Sequence, residues 1–145
     1  MDINLFNAAA LVMGLSLAGS AGGLHYCKAL TTAELSNIQN SRKTAGSLKI
    51  FAYAPMSQAL YGIVLFFIIM GLEPGTMTAE SNILPAAFAI GLANMASAFF
   101  QGVVGARTID MINKTGEIGS GFLNIGIVES MAIFGTGLTI YSLMQ

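Results

Sequence analysis

The sequence predicts an all-α membrane protein of four transmembrane helices, arranged as two tandemly duplicated hairpins. Three observations lead there. Only 9% of the 145 residues are charged and 54% are hydrophobic, whereas a soluble domain carries about 25% charged residues. The mean hydropathy is accordingly positive, +0.72. Four apolar segments follow one another, each about twice the ~10 residues of a membrane barrel strand and without strand-like alternation. They match instead the ~20 residues that a helix needs to cross a bilayer.

The first segment covers residues 3–26. Asp2 precedes it and no basic stretch does, which argues against a cleaved secretory signal, so it is read as a retained span. The second covers residues 48–72 and has no charge after Lys49; Pro55 stands inside it. Proline lacks an N–H and clashes with the carbonyl four residues back, so the helix is expected to loosen there. The third covers residues 82–106 and is uncharged. The fourth covers residues 118–145, and its one charge is Glu129, near the middle. A bare carboxylate at that depth costs several kcal/mol or more, so it must be neutralised by a proton, a metal ion or a basic partner.

The charges orient the spans. Lys28, Arg42, Lys43 and Lys49 lie in or beside the first connection, and Arg107 and Lys114 in the third. The middle connection, LEPGTMTAES, holds only Glu73 and Glu80. Basic residues concentrate on the cytoplasmic side, so connections one and three are expected inside and both termini outside. The formal net charge of −1 gives no sign of a nucleic-acid partner. With one cysteine, Cys27, no intrachain disulfide forms and the redox compartment stays open. His25 reads as an interfacial residue rather than a ligand, and Asn94 and Asn124 as amides joining helices.

The chain repeats itself. At an offset of 73, Ser57-Gln58-Ala59-Leu60-Tyr61-Gly62 aligns with Ser130-Met131-Ala132-Ile133-Phe134-Gly135. At an offset of 77, Gly14-Leu15 falls on Gly91-Leu92 and Ser20-Ala21 on Ser97-Ala98. Residues 1–76 are thus expected to form one hairpin and residues 77–145 a second, together a single proteolipid domain. In this register Glu129 falls on Met56, so one carboxylate serves four helices. Small residues recur at four-residue steps: Gly14, Ala18 and Gly22; Gly19 and Gly23; Ala98, Gly102 and Ala106. Such stripes let helix backbones approach closely, within one chain or in an inner ring of many copies.

The polar residues of the spans converge by spacing. Ala54, Ser57, Gln58 and Tyr61 are spaced i, i+3, i+4, i+7 and share a helix face. Backbone carbonyls freed by Pro55, together with Ser57 and Gln58 oxygens, suit a hard cation; Gln101 adds an amide and Glu129 the formal charge. One carboxylate matches one monovalent ion. The Tyr61 phenol is positioned to donate to Glu129.

These residues resemble the rotor-ring subunit of V-type (vacuolar/archaeal-type) ATPases, subunit K or the c-type proteolipid, and most closely its bacterial sodium-transporting branch. The resemblance is carried by the duplicated hairpin, Pro-x-Ser-Gln-x-Leu-Tyr-Gly at 55–62, Gln-Gly at 101–102 and Val-Glu at 128–129. It implies sodium ligands at the Ala54 carbonyl, Ser57, Gln58, Gln101 and Glu129, with Tyr61 bonded to the glutamate. Serine often stands as threonine in that family, and alanine as leucine; both exchanges keep the ligand chemistry. It also implies a homo-oligomeric ring in a bacterial cell membrane, a stator subunit with half-channels and an arginine, and a central stalk at the cytoplasmic loops. The chain has no nucleotide-binding loop, so no catalytic chemistry is expected in it; the ATP-hydrolysing head is a separate part.

Other readings stay open at this stage. A proton-carrying ring needs only Glu129 and leaves the Ser57, Gln58 and Gln101 oxygens surplus. A non-rotary channel or interaction proteolipid needs no neutralised carboxylate. A small secondary transporter needs a substrate cavity at the repeat interface.

Overall fold

A computed structural model describes residues 2–38, 42–72 and 83–143. They form α1 (Ile3–Ile38), α2 (Arg42–Tyr53), α3 (Met56–Met70), α4 (Ile83–Thr115) and α5 (Gly119–Leu143), with no strand among the described residues. The middle connection, with Glu73 and Glu80, lies outside the described residues.

Asp2 starts α1 by accepting the Asn4 and Leu5 N–H groups on Oδ1, at 2.7 and 3.3 Å. It thereby satisfies donors that a helix N-terminus leaves unpaired, and its charge suits the positive end of the helix dipole. The apolar part of α1 runs over Ile3–Ala29, and the helix then continues to Ile38. The basic residues of the first connection therefore sit on helices: Lys28 on α1, and Arg42, Lys43 and Lys49 on α2.

The second span is not one helix. It breaks at Ala54–Pro55 into α2 and α3. Pro55 cannot donate to the Phe51 carbonyl, and that oxygen lies against Gly105 of α4, where no side chain intervenes. α3 alone has 15 residues, about 22 Å at 1.5 Å per residue. A bilayer core is about 30 Å thick, so the crossing needs the adjoining turns of α2.

A second difference concerns the third connection. Arg107 and Lys114, expected in a loop, lie on α4. The link to α5 is only residues 116–118. Gly116 ends α4 at φ 75°, a left-handed conformation that side chains disfavour, and its N–H bonds to the Ile112 carbonyl at 2.8 Å.

α1 and α4 are the tightest pair. A Cβ on Gly102 would lie 2.7 Å from the Gly23 Cα, so each glycine is there because the partner backbone occupies the space. The Gly19–Gly23 and Ala98–Gly102 stripes thus pack inside the chain. Gly14, on the other stripe of α1, meets nothing within 4 Å. Two apolar clusters form at opposite ends. One joins Leu5, Val12, Leu65, Ile69 and Ile90, and the other Cys27, Leu48, Phe51, Ile109 and Ile112. Between them lies a polar layer with Ser16, Ser20, Gln58, Asn94 and Gln101 all buried.

The outer faces are apolar. Leu60, Val64 and Phe67 of α3, and Leu123, Met131, Phe134 and Leu138 of α5, are exposed. An exposed apolar surface of this extent belongs against lipid or another protein surface. Ile3–Ala29, Ile83–Ile112 and Gly119–Tyr141 are long and apolar enough to cross a membrane. With the broken α2–α3 crossing they make this an integral membrane protein.

Candidate functional site

The polar layer centres on the break before α3. The Ala54–Pro55 turn is closed by the Ser57 N–H, which bonds to the Ala54 carbonyl at 3.2 Å. It delivers Ser57, Gln58 and Tyr61 on the first turns of α3 toward α4 and α5. α4 contributes Gln101, fully buried like Gln58. Glu129 enters from α5 and meets all four.

Every contact to the carboxylate is a neutral donor. Oε2 accepts from the Ser57 hydroxyl at 2.8 Å, from the Gln58 amide at 3.4 Å and from the Gln101 amide. Oε1 accepts from the Tyr61 hydroxyl. The ion pair Lys114–Asp110, at 2.7 Å, lies elsewhere on α4. Neutral dipoles leave the net charge of a carboxylate in place.

Around the Ser57 hydroxyl the acceptors outnumber the protons. Its oxygen lies 2.9 Å from the Ala54 carbonyl, 2.9 Å from Gln58 Oε1, 2.8 Å from Glu129 Oε2 and 3.5 Å from Gln101 Oε1. A hydroxyl has one hydrogen. Five oxygens therefore converge, and the one hydroxyl hydrogen can serve only one of its four oxygen neighbours, while amide and backbone N–H groups reach only Glu129 Oε2 and the Ala54 carbonyl; such an oxygen-rich cluster suits a hard cation. The six residues singled out from the sequence are thus brought together at one place: Ala54, Ser57, Gln58, Tyr61, Gln101 and Glu129.

Ser97 also belongs to this network. Its oxygen accepts from the Gln58 amide at 3.3 Å, and its hydroxyl donates to the Val128 carbonyl at 3.3 Å, tying α3, α4 and α5 together. The sequence marks Ser97 only as the repeat mate of Ser20. The available signal is its i, i+4 spacing to Gln101 on one helix. Asn94 does join helices, donating to Ser16 of α1 at 3.2 Å. Asn124 instead lines a groove between α4 and α5. His25 is exposed on α1.

Comparison with known families matches residues 84–142 to the C-subunit family of ATP synthases. The matched stretch holds α4 from its second residue and nearly all of α5, with Ser97, Gln101 and Glu129 inside it and the α3 residues outside. The chain matches no curated protein. The membrane-length apolar helices and the part-buried, acid-centred network agree with this match to residues 84–142.

Proposed function

We propose that the chain is the ion-carrying rotor-ring subunit, the K or c-type proteolipid, of a V-type sodium-translocating ATPase. Each copy binds one sodium ion at Glu129, with the Ala54 carbonyl, Ser57, Gln58 and Gln101 as neutral oxygen ligands and Tyr61 holding the carboxylate. One observation carries sodium as the cargo: the Ser57 hydroxyl oxygen meets four other oxygens with one hydrogen to offer them. A second argument favours sodium over a proton. All four neighbours of Glu129 donate to it, so a protonated acid would need one of them to reverse and accept.

Transport follows from charge. The sodium-loaded site is formally neutral and passes the lipid face at low cost, whereas the bare carboxylate does not. Copies of the chain form a ring, with the open Gly14 stripe of α1 available for packing between copies. A stator subunit supplies half-channels and an arginine that displaces the ion. A central stalk engages the ends of the helices that carry the basic residues, which face the cytoplasm while the termini lie outside. ATP hydrolysis in a separate head turns the ring, or ion flow drives synthesis. The four-segment chain with one carboxylate supports the V-type assignment, and the repeat supports two hairpins, residues 1–76 and 77–145.

Carbodiimide labelling of the purified protein, with and without sodium, tests the reading, because the reagent needs a protonated and reachable carboxyl group. Glu129 is expected to react, and sodium but not potassium to protect it. Labelling that ignores sodium identifies a proton carrier, and no labelling at any pH rejects an exchangeable carboxylate.

A further inference from the structure

Arg107 stands out among the charged residues. It lies inside the apolar stretch Ile83–Ile112 of α4, five residues before its end. An unpaired guanidinium inside a span is costly and calls for an anion or a route to water. The nearest acid on its own helix, Asp110, is engaged by Lys114 at 2.7 Å. Arg107 forms no ion pair among the described residues.

Arg107 borders a groove of about 330 Å³ between α4 and α5. Val104, Thr108 and Met111 line it from α4, and Asn124 and Ile127 from α5. No acid lines it. Its polar groups are a cation, a hydroxyl and an amide, all able to donate to oxygen. Its other walls, Val104, Met111 and Ile127, are apolar, and it lies toward the end of the hairpin where α4 turns into α5. A donor-rich, positive rim above apolar walls, at the edge of a membrane span, complements an anionic headgroup whose acyl chains remain in the bilayer. Asn124 strengthens the argument: it is an exposed amide between the apolar Leu123 and Ile125 of α5, and it lines the groove.

We infer that the α4–α5 groove at Arg107 binds the phosphodiester headgroup of an anionic phospholipid. Arg107 supplies the charge, Asn124 and Thr108 supply donors, and Val104, Met111 and Ile127 support the start of an acyl chain. The occupant is a lipid rather than free phosphate, because half of the lining is apolar and lies beside the hydrocarbon region. The site is separate from the carboxylate: Asn124 lies five residues before Glu129 on α5, and Thr108 lies seven beyond Gln101 on α4.

The test is native mass spectrometry of the protein purified from membranes and equilibrated with equal phosphatidylglycerol and phosphatidylcholine. The wild type is expected to retain phosphatidylglycerol in preference to phosphatidylcholine. Arg107→Gln is expected to lower that retention about tenfold, the loss of one charge-assisted contact. Arg107→Lys, which keeps the charge, should retain most of it. Asn124→Leu, on an exposed face, probes the same groove without touching the charge and should weaken retention about threefold, as for one neutral hydrogen bond. Circular dichroism confirms that each variant is helical. Equal retention of the two lipids, or unchanged retention in both Arg107→Gln and Asn124→Leu, overturns the inference. So does displacement of the lipid by millimolar inorganic phosphate. A photo-crosslinker at position 124 that captures a second copy instead of lipid also overturns it.

Discussion

Tyr61→Phe isolates one contact of the carboxylate. Tyr61 is the donor found on Oε1, while Ser57, Gln58 and Gln101 share Oε2. The substitution keeps the ring and removes only the hydroxyl. A hydrogen bond to a charged group contributes about 1.5–3 kcal/mol. Tyr61 and Glu129 are each only part-buried, so water recovers some of the loss and the lower part of that range applies, about 1.5–2 kcal/mol. At 1.4 kcal/mol per decade this weakens sodium binding about tenfold to thirtyfold. The assay is the sodium concentration that half-protects Glu129 from a carbodiimide at fixed pH. Tyr53→Phe, on an exposed tyrosine of α2, serves as the control and should leave the midpoint in place. An unchanged midpoint for Tyr61→Phe would show that the phenol does not hold the ion-binding form. Equal shifts in both variants would show that the effect is global.

Glu129→Gln is expected to abolish sodium-coupled transport in reconstituted vesicles while the protein still assembles and remains helical, since the amide occupies the same volume without the charge. Ser97→Ala removes the acceptor of the Gln58 amide and the donor to Val128; at about 0.5–1.5 kcal/mol for a neutral hydrogen bond, the sodium midpoint should rise roughly threefold to tenfold in the same protection assay. Gly102→Ala drives a methyl group to 2.7 Å from the Gly23 Cα, and an overpacking cost of about 1–3 kcal/mol should lower the thermal unfolding temperature in detergent. Gly14→Ala, with nothing within 4 Å, should leave the unfolding temperature of the single chain unchanged or slightly raised, because alanine is the better helix former by about 1 kcal/mol.

The polar cluster is readable in one dimension because α3 carries its members at helical spacing. Ser57, Gln58 and Tyr61 share a face by number alone, and Glu129 is isolated in an apolar run. Ser97 is not readable in this way, because a serine in a Gly/Ala-rich helix has an ordinary role and only the approach of Gln58 from α3 gives it another. Arg107 and Lys114 differ from expectation for a related reason. Charge suggests a loop, yet α4 continues as a helix until Gly116 takes a positive φ. The first connection is helical as well, since α1 runs on to Ile38 and α2 begins at Arg42.

Hydropathy, charge placement and the repeat decide that this chain is helical, lives in a membrane and crosses it four times, because the cost of exposing backbone and charge to lipid leaves few alternatives. They also single out Glu129. What hydropathy cannot decide is which helices touch. The contact of Gly23 with Gly102 sets how closely α1 approaches α4. The turn at Ala54–Pro55 sets where Ser57 and Gln58 point. Only the packed helices gather five oxygens at Ser57, because convergence of groups 72 residues apart depends on distances between helices rather than on spacing along any one of them.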